Sequence, residues 1–249
     1  MANVIVDIKN LMRLFKMGEE TIHALDGVSF SINQSEFLTI MGSSGSGKTT
    51  LLNIMGCLDR PTSGRYILDG TDISSFSKTE LARFRNKKLG FVFQTYNLLA
   101  RTSALENVEL PLLYNPAISS KKRKELASEA LDAVKLSDRM YHFPNQLSGG
   151  QQQRVAIARA IVNDPVMILA DEATGNLDSK TSYEIMALFQ ELNETKGKTI
   201  AFVTHEVDIA SFSKRTIQLR DGKIIKDEPN KNVRNAREVL QNMKVTAVP

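Results

Sequence analysis

The chain has 249 residues, 42% of them hydrophobic, and 32 Lys and Arg against 28 Asp and Glu leave a formal net charge of +4. That is ample apolar material for a packed core and too slight a basic excess for a dedicated nucleic-acid binder. The single cysteine, Cys57 in the apolar context NIMGCLD, excludes an internal disulfide and reads as a small buried hydrophobe in a reducing compartment. The apolar runs fall far short of the roughly 18 residues that cross a bilayer, and no charged-then-apolar leader is read at the start, so a role at a membrane calls for a partner.

In chain order, Val4 to Ile8 is strand-like, and Val28, Phe30 and Ile32 alternate with Gly27, Ser29 and Ser31, predicting an antiparallel sheet near the N-terminus. Four short, almost wholly apolar runs, Phe37 to Met41, Phe91 to Phe93, Val166 to Ala170 and Thr199 to Val203, have the pattern of parallel strands covered on both faces. Helical patterns separate them. A short apolar helix is predicted over Leu51 to Leu58, and Ser77 with Glu80 forms a capping box at the head of the next. From Thr95 to Gln146 the character turns helical, and Leu126, Ala130, Leu131 and Val134 share one helix face after Ser119 and Ser120. Thr216 to Leu219, Asp221-Gly222 and Lys223 to Ile225 predict a hairpin, and Val233, Ala236, Val239, Leu240 and Met243 a closing helix. The order is that of an α/β fold.

Between a predicted strand and a predicted helix lies MGSSGSGKTT, in which Gly42, Gly47, Lys48 and Thr49 satisfy G-x-x-x-x-G-K-[ST]. Backbone N–H groups of Gly42, Ser43, Ser44, Gly45, Ser46 and Gly47 can curl around an anion there, and the following helix, with Thr50 in its first turn, adds its positive end. Lys48 reaches the terminal phosphates and Thr49 offers a hydroxyl to Mg²⁺. Downstream, VMILADE sets Asp171 and Glu172 at the end of an apolar strand, where carboxylates are costly unless something cationic meets them. Asp171 suits a magnesium ion, and Glu172 suits the general base for the water attacking a γ-phosphate. A second cluster, Ser148, Gly149, Gly150 and Gln151, heads another predicted helix. One nucleotide has no use for two such anion sites, so the second fits a nucleotide held by another copy; a Ser N-cap with glycines for packing is the other reading.

With these motifs in place the chain resembles the nucleotide-binding subunit of an ATP-binding cassette transporter over nearly its whole length. GSSGSGKT matches the Walker A loop, Gln94 in FVFQ the Q-loop, LSGGQ the signature, VMILADE the Walker B strand, GNLD the D-loop and Thr204-His205 the switch. The resemblance implies a P-loop NTPase cassette: a RecA-like parallel-sheet core with an antiparallel β-subdomain over 1–94 and 147–229, a helical subdomain over 95–146, and a C-terminal helix and tail over 230–249. It implies two cassettes packed head to tail around two ATP, with Ser148 and Gly150 of one facing the phosphate held by Lys48 of the other. His205 then contacts that phosphate and helps place the water, Gln94 joins Thr49 and Asp171 at the metal, and Asp178 couples the two sites. Phe15 in RLFKMGEE, between the first two strands, is the counterpart of an adenine-stacking tyrosine, with a core position as the alternative; Ala173 stands where proline is usual.

Phrases such as ALDGVSFSI, GCLDRPTSG and ALENVELPL resemble the lipoprotein-release and macrolide-export type of ATPase subunit. That implies an integral membrane permease as partner at the cytoplasmic face of the cell membrane, contacting Gln94 to Leu99 and Ser103 to Leu110, and no nucleic acid. The run Lys121 to Lys124 fits a solvated helix face or acidic headgroups. A soluble cassette ATPase acting on nucleic acid or the ribosome is the competing class, but the stretch 95–146 has no sustained heptads for the coiled coil of clamp-type relatives.

Overall fold

The computed structural model describes residues 3–246; the last three residues of the C-terminal helix and tail expected over 230–249 lie outside them. β1 (Val4–Met17) and β2 (Glu20–Asn33) form a hairpin across Gly18-Glu19, with Gly18 at φ +63. Alternation predicts a strand only to Ile8, yet β1 runs on through register shifts at Ile8/Leu11, Leu11/Arg13 and Arg13/Leu14. Each shift resets the phase of the side chains, so pairing persists where the period-2 pattern is lost. Phe15 therefore lies within β1, opposite Ile22, rather than between the strands.

β3 (Phe37–Met41) leads through the glycine loop into α1 (Lys48–Met55). The helix begins at Lys48, ahead of the predicted Leu51. Apolar spacing registers only the buried Leu51, Leu52, Ile54 and Met55, while the polar first turn carries no such signal. β4 (Ser63–Leu68) and β5 (Thr71–Asp72) join β2 and β1 in a four-stranded antiparallel sheet of order β2-β1-β4-β5. α2 (Lys78–Lys88) opens on the Ser77–Glu80 capping box and delivers the chain to β6 (Leu89–Phe93). α3 (Ala104–Glu109), a 3₁₀ turn over Leu110–Tyr114 and α4 (Ser120–Ala133) follow. Next come α5 (Gly149–Ile161), β7 (Met167–Asp171), α6 (Ser179–Lys196), β8 (Thr199–Thr204) and the short α7 (Val207–Ala210). β9 (Arg215–Arg220), β10 (Lys223–Pro229) and α8 (Ala236–Thr246) complete the order.

The larger sheet has the order β10-β9-β3-β8-β7-β6, parallel from β9 to β6 with β10 antiparallel at its edge. Successive side chains of its central strands feed two cores. Ile168, Ala170, Ile200 and Phe202 pack with Val155, Ile185 and Phe189 of α5 and α6. Leu169, Ala201, Val203 and Ile40 pack with Leu51 and Met55 of α1 and with Ile8 and Tyr66 of the antiparallel sheet. Burial on both faces is why these strands read as unbroken apolar runs. Because β3, β8, β7 and β6 are parallel neighbours, their carboxyl ends share one edge, where an open α/β sheet places its ligand.

Candidate functional site

At that edge the register sets Met41 beside Thr204, Val203 beside Asp171, and Asp171 beside Phe93. The residues that follow these strands are the glycine loop, His205, Glu172 and Gln94. They border a cleft of about 950 Å³ lined by Ser43, Ser44, Gly45, Gly47, Lys48, Thr49, Thr50, Gln94, Asp171, Glu172 and His205. Gly42 and Ser46 do not line it but support the loop from beneath. A Cβ on Gly42 would stand 2.4 Å from Ser46 Oγ and 2.5 Å from the Leu219 carbonyl, and Ser46 is buried.

Gly47 caps α1 at φ +100, a left-handed conformation that side chains rarely adopt, and a Cβ there would meet the Ala24 carbonyl at 2.5 Å. The positive end of α1 thus opens into the cleft with no acidic residue in its first turn. Lys48 Nζ donates to the Gly42 and Ser43 carbonyls at 2.8 Å each. An ammonium has three donors, so one remains for an incoming oxygen.

Opposite the loop, His205 Nδ1 and Glu172 Oε1 are 2.9 Å apart; toward an ionised carboxylate that nitrogen donates. Glu172 takes φ +43, its N–H bound to the Val203 carbonyl and its own carbonyl to the N–H of Gly175, both at 2.9 Å. Burial, then the adjacent Glu172 charge, push the Asp171 carboxyl above its ordinary range, against the pull of Lys48. Gln94 and Asn176 clasp each other: Gln94 Nε2 donates to Asn176 Oδ1 at 3.3 Å and Asn176 Nδ2 to the Gln94 carbonyl at 3.2 Å. Among the described residues no three His, Cys, Asp or Glu are grouped so that they could hold a metal ion by themselves.

The second glycine cluster is not in this cleft. Ser148 caps α5, its Oγ accepting from the Gln151 N–H at 3.3 Å while Gln151 Oε1 accepts from the Ser148 N–H at 2.9 Å. The side chain nearest a Cβ on Gly149 would be Tyr96, and on Gly150 it would be Thr181. Asp178 caps α6, where the Thr181 hydroxyl, then its N–H, hold the carboxyl below its ordinary value. Phe15 is exposed, which removes the core alternative. It faces the same side of the hairpin as Ile22, a cleft residue, and Arg13 lies 4.4 Å from its ring centroid.

Sequence reasoning missed Ile22, His23 and Ala24 of β2 and Asp221 of the β9–β10 turn, all on the cleft wall. Asp221-Gly222 was legible only as a hairpin turn; its second task is seen in the Gly222 N–H donating to the Ser46 carbonyl at 3.1 Å. Arg159 was also missed: its guanidinium donates to the Tyr96 and Asn97 carbonyls at 2.8 and 2.6 Å, fixing the loop after Gln94.

Residues 25–175 match the family described as ABC transporter. The chain belongs to that family. It is an ATP-binding, ATP-hydrolysing subunit of the ABC type. It is 54% identical over 220 residues to the uncharacterized ABC transporter ATP-binding protein YknY of Bacillus subtilis, covering 88% of this chain and 95% of that one. The macrolide export ATP-binding/permease protein MacB of Hyphomonas neptunium is 49% identical over 227 residues, 91% of this chain but 35% of MacB. Among solved structures, the dimeric cassette MJ0796 of Methanocaldococcus jannaschii in a post-hydrolysis state with ADP and Pi matches with TM-score 0.82 and 49% identity, covering 91% and 99% of the two chains.

Proposed function

We propose that this ABC subunit works as a head-to-tail pair, each cleft completed by Ser148, Gly149, Gly150 and Gln151 of the second copy, with Asp178 coupling the two. The observation that carries the reading is the separation of two N-terminal helix ends: α1 opens into the cleft, while α5 presents the exposed Ser148 outside it. An anion site facing away from its own cleft is explained by a second cleft. The relative MJ0796 being a dimer is in keeping with this.

Within the cleft, adenine stacks on Phe15 beside Ile22 and the phosphates lie in the loop from Gly42 to Thr50. Lys48 exchanges a loop carbonyl for a terminal phosphate oxygen. Thr49, Gln94 and Asp171 offer only oxygen donors, and the half-buried Asp171 carboxyl beside Glu172 is a place where a cation relieves repulsion. That donor set fits magnesium, which prefers phosphate and water oxygens over a protein cage. When bound, magnesium shields charge on the phosphates. Glu172 takes a proton from water as the water oxygen bonds to the γ-phosphorus. The bond from that phosphorus to the β,γ-bridging oxygen breaks, and ADP leaves with the electron pair. His205, held by Glu172, turns its ring toward the same phosphate.

The subunit would sit at the cytoplasmic face of a membrane and drive a permease for export or for extraction of a lipoprotein or lipid. MacB combines such a domain with a permease by name, and cbiO1 of Clostridium perfringens, 27% identical with TM-score 0.83, is described as part of a transporter complex. Among the described residues no helix is long and apolar enough to cross a membrane. Glu172→Gln should keep ATP binding and abolish turnover in a steady-state phosphate-release assay. Hydrolysis at the unaltered rate would remove Glu172 as the base.

A further inference from the structure

One fully buried polar side chain outside the cleft reaches two of the strand ends that build it. Gln153 lies in α5, one turn beyond the exposed cap Ser148. Its Nε2 donates to the Ala173 carbonyl at 2.6 Å and, more loosely, to the Phe93 carbonyl at 3.4 Å. Phe93 immediately precedes Gln94, and Ala173 immediately follows Glu172. Turning the amide over would set an oxygen against two carbonyl oxygens, so its partners fix its orientation. Its Oε1 is buried and meets no hydrogen-bond donor among the described residues. An orphaned acceptor works against folding, while removing the amide would in turn take the donor from the buried Ala173 carbonyl. What the carboxamide contributes is the hold on those two carbonyls.

That hold falls where the backbone needs it. Glu172 at φ +43 occupies a region costly for any side chain, which persists only when neighbouring contacts over-determine it. The Val203 carbonyl anchors its N–H and the Gly175 N–H its carbonyl. Gln153 holds the next carbonyl, on a residue whose own φ no ring restricts.

We propose that Gln153 is a positioning residue for ATP hydrolysis: its carboxamide fixes the backbone carrying Glu172 and Gln94 and ties both to the helix headed by Ser148. The proposal rests on Glu172 as the base. In the full chain, Gln153→Met fills the same space without a donor. We expect kcat to fall about 10- to 100-fold, the scale of a small misplacement of a reacting group. KM and ATP affinity should stay within about twofold, since no nucleotide contact is removed. The melting temperature should move by only a few degrees, because one unpaired acceptor, Oε1, is exchanged for another, the Ala173 carbonyl. Hydrogen exchange at the Glu172 and Gly175 amides should quicken. An unchanged kcat, or a fall that only follows loss of folded protein with exchange unaltered, overturns the proposal. Gln153→Leu repeats the test; if neither variant folds, the amide is structural and the proposal fails. Should Glu172→Gln hydrolyse ATP normally, the base assignment is lost, while slowed turnover with faster exchange in Gln153→Met still supports the positioning role.

Discussion

Two glycines of the phosphate loop separate a backbone cost from a steric one. Gly45 takes φ +79 with no atom within 4 Å of an added Cβ, whereas Gly47 takes φ +100 with the Ala24 carbonyl at 2.5 Å and Leu25 Cδ2 at 3.1 Å. Placing alanine in the left-handed region costs about 1–2 kcal/mol at either position. Only Gly47→Ala adds a collision with a backbone oxygen, comparable to the roughly 1–3 kcal/mol of an overpacked site. For a chain of this length each kcal/mol lowers Tm by about 2–4 °C, so Gly45→Ala should lose about 2–8 °C and Gly47→Ala about twice that. Ala24 lines the cleft, so the displaced wall should also remove most of the thermal stabilisation that ATP gives the Gly47→Ala chain. Thermal melts with and without ATP measure both effects. Equal melting temperatures for the two variants would refute the steric argument.

In nucleotide-free protein with chelator, Asp171→Asn should raise the melting temperature at neutral pH. The folded state holds this carboxyl above its ordinary value of 3.8, so its contribution is present below that value and is lost as pH rises through the raised one. The advantage of asparagine should therefore vanish in melts taken toward the ordinary value; an equal advantage at every pH would contradict the assigned cause. Mixing equal amounts of Ser148→Arg and Lys48→Ala chains should return at most roughly a quarter of wild-type ATPase activity, because only mixed pairs hold one intact site. Full activity in the mixture would argue against a shared site.

The phosphate loop and the parallel strands were legible because their chemistry is local: a glycine loop needs its spacing, and strands buried on both faces need unbroken apolar runs. β1 beyond Ile8 was not, since its bulges scramble alternation. The run QQQRVAIARA announces a helix by its apolar spacing, but which glutamine is buried against Ala173, and which arginine turns toward Tyr96, is decided by packing between distant segments. His23 and Asp221 reach the cleft only through the meeting of two hairpins, which leaves no trace in either one. Ser148 and Asp178 were recognised by motif, yet a single chain places both outside its own cleft.

The shared site is tested most directly by light scattering on the Glu172→Gln chain and on the same chain carrying Ser148→Arg. With ATP, the first should double in mass and retain two nucleotides per pair. The second should bind ATP with the same affinity and remain a monomer, because its own cleft is untouched. A dimer that survives Ser148→Arg, or a monomer whose ATP affinity collapses with it, would contradict the account.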